Sequence, residues 1–270
     1  LLYRKEGIIL NPNGKIAILT GASSGIGLEL LKLLSKYDTE IIAVSRHKEN
    51  IPDYGERIHP YACDISIQKE VDDLFSSTIQ KFGHIDLFIA NAGFGYCEEI
   101  NTANWEHIEK IYRTNVFSPI YSFEKMKELN KGKKYNFAIT CSAVSRIPLA
   151  GFSLYCSTKA AIEHFAHTYY FERNDLGTLT LTFPVATSTR FFKKAGDKAP
   201  MPFPVQSSSW VARCILAGIR SNSLTVFPSL LYLFGYFVIN RIFPFVFGIY
   251  DLINAARFHH WIKRRKRENF

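Results

Sequence analysis

The chain has 270 residues, 47% of them hydrophobic, enough for one well-buried α/β domain and too little for two full ones. Its formal charge is +9, yet Arg257 to Phe270 holds six Lys/Arg and one Glu, a local +5 that leaves only +4 for all other residues. The basicity belongs mostly to the tail, which argues against a body that binds nucleic acid.

Leu1 to Leu10 carries Arg4, Lys5 and Glu6 and no long apolar core, so no signal peptide is expected there. Lys15 to Leu19 is β-rich and feeds Thr20-Gly21-Ala22-Ser23-Ser24-Gly25-Ile26-Gly27. Leu30, Leu31, Leu33 and Leu34 then recur at helical spacing. Strand, glycine turn and helix together are the context of a dinucleotide fingerprint. Gly21 permits the turn, Gly25 lets the backbone approach a pyrophosphate, and Gly27 lets the helix pack on the strand. The helix start offers free N–H groups and a positive dipole end to phosphates. Ser23, Ser24 and Ile26 belong to the same candidate cradle.

Glu40 to Val44 is the second strand. A site for NAD usually carries Asp or Glu at its end, on the ribose 2′-hydroxyl. Here the residues are Ser45-Arg46-His47-Lys48, and Arg46 can grip a 2′-phosphate in a fork. The expected cofactor is therefore NADP(H). A third strand, Arg57 to Ala62, leads to Cys63-Asp64-Ile65. Asp64 can accept from an adenine amino group, with Ile65 beside it, or it can cap the helix that follows. Val71 to Phe82 is amphipathic and helical, and Ile85 to Ala90 is a fourth strand. That strand ends in Asn91-Ala92-Gly93, small residues that let the backbone pass close to a nucleotide.

Trp105 to Tyr121 reads as one long helix containing Asn115. A mid-helix Asn needs a job, because its amide competes for backbone hydrogen bonds. It either anchors a water beside Lys159 or stabilises a kink before Pro119. Tyr135 to Thr140 is a fifth strand with Ser142 just past its end. Tyr155 and Lys159 follow, four residues apart, on one face of a helix that runs to Phe171. An ammonium near a phenol favours the phenolate, which makes Tyr155 a candidate acid/base with Ser142 holding the same substrate oxygen. His164 and His167 share that helix without a carboxylate motif, so no metal site is expected.

Thr178 to Phe183 is a sixth strand, followed by Pro184-Val185-Ala186-Thr187-Ser188-Thr189. Phe191 to Pro204, rich in Phe and Pro, looks like a mobile lid over a substrate cleft. Trp210 to Arg220 is a helix and Leu224 to Phe227 a last strand. The catalytic domain is expected to span residues 1–228. Residues 229–270 are expected to form an apolar helical appendage that dips into one leaflet. Two apolar stretches, broken by Asn240-Arg241, lead there into the basic run Lys263 to Arg267. A packed helix pair or a homo-oligomer contact is the alternative. Five cysteines, Cys63, Cys97, Cys141, Cys156 and Cys214, show no paired spacing, so the domain is expected in a reducing, cytoplasm-facing compartment.

Together these residues resemble the short-chain dehydrogenase/reductase family over roughly Lys15 to Phe227. Thr20-Gly21-x-x-x-Gly25-x-Gly27 is similar to its cofactor turn, Asp64 to its adenine-binding acid, and Asn91-Ala92-Gly93 to its strand-four motif. Asn115, Ser142, Tyr155 and Lys159 match its catalytic tetrad. Pro184 opens its post-strand-six motif, Val185 stands where Gly is usual, and Thr187 and Thr189 suit a carboxamide contact. The resemblance implies a doubly wound parallel sheet, a Rossmann fold, of strand order 3-2-1-4-5-6-7. It implies that Tyr155 is the acid/base and that Lys159 lowers its pKa and bonds the nicotinamide ribose. Ser142 would position the carbonyl, and Asn115 would hold a relay water. The expected activity is hydride transfer between NADP(H) and a lipophilic carbonyl or alcohol of steroid, retinoid, ketosphingoid or acyl type. The expected state is a homodimer or homotetramer at a membrane surface. A catalytically silent nucleotide sensor would not need the whole tetrad. An epimerase of the related extended family would need a larger C-terminal domain.

Overall fold

The structure, a computed structural model, describes residues 10–239, 242 and 245–268. The Arg4-Lys5-Glu6 stretch and the Asn240-Arg241 break lie outside the described residues. Nine strands are described: β1 (Lys15–Thr20), β2 (Thr39–Ser45), β3 (Ile58–Ala62), β4 (Leu87–Ala90), β5 (Asn136–Thr140), β6 (Thr178–Thr182), β7 (Ala186–Ser188), β8 (Val205–Ser207) and β9 (Thr225–Val226). Seven of them form one sheet, in the order β3-β2-β1-β4-β5-β6-β9, and every pairing in it is parallel. This is the expected order; the last strand is the ninth in sequence because β7 and β8 form a separate two-stranded ladder.

Both faces of the sheet are covered, so its strands read as continuous apolar runs. Alternate side chains go to opposite faces. Ile16 and Ile18 join a cluster with Val44, Phe88 and Phe137, which packs against α2 (Gln68–Phe82), α4 (Ser118–Leu129) and α5 (Ser153–Glu172). Ala17 and Leu19 join Ile41 and Ile89 beneath α1 (Gly25–Leu34) and α7 (Ser208–Arg220).

The long helix expected over residues 105–121 is interrupted. α3 (Trp105–Tyr112) passes into a π-helical turn, Arg113–Phe117, before α4, which continues to Leu129. The wider turn presents Asn115 inward, and Pro119 sits where α4 begins and its missing N–H costs nothing.

The C-terminal segment departs further from expectation. It comprises α8 (Leu230–Phe234), a π-helical turn at Gly235–Ile239 and a last helix, α9 (Phe245–Glu268). Its far half does not stand apart. Phe258, Trp261 and Ile262, on one stripe of α9, are buried with Cys97, Phe152, Phe192 and Ala195 in a third core cluster. The Trp261 indole N–H donates to the Asp197 carbonyl at 2.9 Å, which satisfies its one polar atom. Among the described residues, no helix is long and apolar enough to cross a membrane. The Phe191–Pro204 segment starts as α6 (Phe191–Ala195), with Phe192 and Ala195 buried, and the β7–β8 ladder brackets it.

Candidate active site

The carboxyl ends of β1, β4 and β5 meet where the strand order reverses, and a cavity of about 740 Å³ opens there. Its inner end is the glycine turn. Gly25 has φ of 57°, a conformation that disfavours any side chain, and a Cβ there would come 3.1 Å from Thr189 Cγ2. A Cβ at Gly27 would strike the Gly21 carbonyl. Gly27 therefore acts through close packing behind the wall, whereas Gly21, Ser23, Ser24, Gly25 and Ile26 line the cavity. Ser24 makes no side-chain cap on α1, which leaves the first-turn N–H groups uncapped at the cavity. An uncapped helix start behind a side-chain-free turn fits a pyrophosphate.

The next two strands extend this end of the cleft. Ser45 Oγ donates to Ser23 Oγ at 3.0 Å and ties the end of β2 to the turn. Arg46 is exposed and lines the cavity beside it. Asp64 and Ile65 line it from the end of β3. Asp64 Oδ1 accepts from Ser66 N at 3.0 Å and Ser66 Oγ at 2.7 Å. It thus shapes a turn and does not cap α2, whose N-terminal neighbour is Ile67.

Asn91, Ala92 and Gly93 also line the cavity, fixed by a buried hub that sequence reading passed over. Thr20 Oγ1 accepts from the N–H groups of Asn91 and Ala92, at 3.0 and 3.1 Å. Asn91 Nδ2 donates to Thr20 O at 3.1 Å, and its Oδ1 accepts from Thr140 Oγ1 at 3.2 Å. The signal for Thr20 was its place directly before Gly21, at a strand end where a hydroxyl can bridge to the next strand.

The tetrad converges. Tyr155 and Lys159 sit on successive turns of α5, and Lys159 Nζ lies 5.7 Å from the Tyr155 ring centroid. Lys159 is buried and donates to Thr140 O at 2.8 Å. Ser142 Oγ accepts from Val144 N at 3.3 Å and donates to Pro184 O at 3.5 Å. Pro184, Thr187 and Thr189 line the cavity opposite, and Thr187 Oγ1 donates to Val185 O at 2.9 Å. Asn115 does not line the cavity. Its Nδ2 donates to Phe94 O at 2.8 Å and Thr158 Oγ1 at 3.1 Å, and its Oδ1 accepts from Phe94 N at 3.2 Å. Asn115 is thus first a clamp on the backbone after β4, and the π-helical turn is the local distortion that delivers it.

Burial pushes the Tyr155 phenol above its ordinary pKa, and the Ser142 hydroxyl acts in the opposite direction. Burial also holds Lys159 below the usual ammonium range. Desolvation is the largest influence on the Tyr155 phenol and favours its protonated form. The Cys141 thiol, which donates to Lys159 O at 3.4 Å, is pushed up to about 11 by burial and is inert at neutral pH.

The rest of the cleft is lined largely by aromatic and aliphatic side chains, with Lys110, Arg190 and Lys194 as its cations. Phe94, Leu149, Phe152 and Phe203 line it, and Phe191 packs its ring 5.0 Å from that of Tyr155. Leu231, Tyr232, Phe247 and Tyr250 close it from α8 and α9. Sequence reading did not place these four at the site, since nothing local links them to residues so far back in the chain.

A parallel sheet with a glycine turn and a Ser-Tyr-Lys cluster at its switch point defines a nicotinamide-dependent oxidoreductase. The chain belongs to the short chain dehydrogenase family, whose model matches residues 15–199. It is 32% identical over 160 residues to an uncharacterized oxidoreductase of Staphylococcus haemolyticus, covering 56% of this chain and 68% of that one. It is 25% identical over 232 residues to an 11-beta-hydroxysteroid dehydrogenase of Pinus massoniana, covering 76% of this chain and 64% of that one. The chain thus spans about two thirds of the length of these curated relatives (68% and 64%). A Burkholderia phymatum short chain dehydrogenase/reductase in complex with NAD superposes with TM-score 0.71 at 15% identity, covering 83% of this chain and 92% of that one. A Burkholderia cenocepacia short chain dehydrogenase in complex with NADP gives 0.70 at 19%, covering 86% and 97%. Both show the fold.

Proposed function

We propose that the protein transfers a hydride between NADP(H) and the carbonyl or carbinol carbon of a lipophilic substrate, at a membrane face. The observation that carries this reading is one cleft with two different halves. The inner half has a phosphate-fitting turn, Arg46 and the Ser142, Tyr155 and Lys159 side chains. The outer half is walled largely by aromatic and aliphatic side chains. Arg46 with no carboxylate at the end of β2 favours the 2′-phosphate. When bound, the nicotinamide cofactor supplies or accepts the hydride. The chain's own residues do the rest. Tyr155 Oη, protonated at neutral pH, gives its proton to the carbonyl oxygen during reduction and takes it back from the alcohol during oxidation. Ser142 Oγ holds the same oxygen. Lys159, anchored on Thr140 O, places a buried positive charge beside the phenol and stabilises it once it has lost its proton. Asn115 keeps the Phe94 backbone in place.

The likeness to a steroid dehydrogenase supports an apolar substrate. The exposed apolar residues of α8 and α9 beside the cleft mouth support delivery of that substrate from a bilayer facing a reducing compartment. The test is a panel of steroid, retinoid, ketosphingoid and acyl carbonyls assayed with detergent-solubilised protein, following nicotinamide absorbance with NADPH and NADH in parallel. Turnover of an apolar carbonyl with NADPH is the expected result. Cofactor binding without turnover of any class would overturn the catalytic reading.

A further inference from the structure

A second cavity, of about 660 Å³, lies between α9 and the Asp197–Pro200 turn and shares no lining residue with the catalytic cleft. Lys198, Arg257, Arg264 and Arg265 all line it, with His260 beside them and Asp197 as the one carboxylate in the wall. Four cationic side chains face one hollow, and an anion placed among them is attracted by each. Two of the arginines are already positioned. Arg257 donates to Met201 O at 2.9 Å, and the Arg265 guanidinium lies over the Trp261 ring at 5.3 Å. Guanidinium forks match phosphate oxygens in geometry as well as charge.

The helix face adds a second indication. Ile249, Ile253, Arg257, His260 and Arg264 recur at steps of four, four, three and four, which places them on one stripe of α9. Ile249 and Ile253 are exposed, so an apolar run leads along the helix directly into the cationic hollow. From Ile253 to Arg264 the rise is about 16 Å. Apolar tail followed by cationic pocket is the complement of an anionic amphiphile.

We propose that this cavity binds a phosphate-bearing anion, and the helix face favours the headgroup of an anionic lipid as its source. Only that choice of source rests on the membrane-face reading above. The Asp197–Pro200 wall of the cavity follows α6 in the chain, and Phe191 at the start of α6 packs on the Tyr155 ring.

The test compares two variants of equal charge. Lys198→Gln/Arg264→Gln removes one cation from each wall of the cavity, and Lys263→Gln/Arg267→Gln removes two from the same basic run outside it. The probes are inorganic phosphate against chloride at equal ionic strength, read as thermal midpoint, and phosphatidylcholine vesicles with or without phosphatidic acid, read by co-sedimentation. With NADPH present at saturation to fill the catalytic cleft, phosphate should raise the midpoint of the wild type and of the outer variant, not that of the cavity variant. Affinity for phosphatidic acid vesicles should fall on the order of tenfold further in the cavity variant than in the outer one, since it loses direct contacts as well as diffuse attraction. Equal losses in both variants, with no selective phosphate effect, would show diffuse charge and overturn the site. A selective phosphate effect without vesicle discrimination would keep the site and overturn the lipid source. Binding to phosphatidylcholine alone, unchanged in both variants, reports the apolar face separately, so failure of the membrane reading is distinguishable from failure of this one.

Discussion

Replacing Arg146 by Met is expected to cost about 3–5 kcal/mol of stability, because it strands a buried carboxylate. Arg146 Nε donates to Glu163 Oε1 at 2.5 Å, and the two side chains are only 14% and 8% exposed. The guanidinium also lies 4.8, 5.5, 5.7 and 5.3 Å from the rings of Phe183, Phe227, Tyr236 and Phe237. Met has similar bulk and packs well on rings, so the loss comes chiefly from the uncompensated charge. His167 is the nearest substitute cation, with Nδ1 3.9 Å from the same oxygen, but burial lowers its pKa and disfavours its charge. For a domain of this size each kcal/mol moves the melting point by about 2–4 °C, so a fall of about 6–20 °C is expected. Urea unfolding followed by circular dichroism gives the free energy directly. Adding Glu163→Gln to the Met variant should recover much of the loss by removing the stranded charge. Arg146 also ties the loop after Ser142 to the aromatic wall from Phe227 to Phe237, so substrate KM should rise while cofactor affinity holds. A single variant within about 1 kcal/mol of wild type would refute the argument, since a buried pair cannot be broken that cheaply.

Tyr155→Phe should lower turnover on the order of 10²–10⁴-fold with NADPH affinity nearly unchanged, measured by steady-state kinetics and cofactor titration. Activity within a few-fold of wild type would remove Tyr155 from the mechanism. Arg46→Ala should weaken NADPH by about 1.5–3 kcal/mol and leave NADH almost untouched, read by titrating both cofactors. Equal affinities in the unmutated protein would contradict the 2′-phosphate reading. Burial raises the pKa of Tyr135, Tyr169, Tyr170 and Tyr232 in the folded state. Their contribution is fully present below the unfolded value of about 10 and is lost as pH rises beyond it, so urea midpoints should hold to about pH 9 and then fall. A midpoint unchanged to pH 11 would contradict this.

The inner half of the cleft was legible because its chemistry is written locally. Gly25 and Gly27 declare a turn that excludes side chains, and Tyr155 and Lys159 declare a helix face by their spacing alone. From its neighbours alone Asn115 was legible as a mid-helix amide that needs a job, and the family resemblance placed it in the tetrad. Its partner Phe94 lies 21 residues away, and the π-helical turn that carries Asn115 inward has no signature in its own residues. Helix α9 was legible only as two alternatives, an appendage or a packed helix, for a related reason. Its composition is apolar and basic, which reads as an appendage, but its burial depends on distant partners such as Asp197 and Gly151. A Cβ at Gly151 would come 2.6 Å from the Phe258 ring, but its φ of 84° already favours glycine, so the residue gave no separate trace of that packing.

This packing changes what a test of membrane association must look like. Removing everything after Phe227 would strip Phe258, Trp261 and Ile262 from a shared core and bare Phe152 and Phe192, so loss of binding in such a variant would only report unfolding. The exposed stripe at the start of α9 can be altered without that cost. Ile249, Leu252 and Ile253 are 52%, 71% and 55% exposed. Full burial of such a side chain contributes about 1.5–3 kcal/mol, so half to three quarters of that area gives roughly 1–2 kcal/mol each. Ile249→Ser/Leu252→Ser/Ile253→Ser should then weaken binding to phosphatidylcholine vesicles by about 3–5 kcal/mol, on the order of 10²–10⁴-fold, while the melting point stays within a few degrees. Salt should not reproduce the effect, since screening acts on the charges of the basic run and not on apolar burial. Unchanged vesicle binding would show that the stripe does not face lipid. A triple variant that instead shifts from dimer or tetramer to monomer in sedimentation would assign the stripe to contact between copies of the chain, which buries apolar area by the same physics but sends it to a different partner.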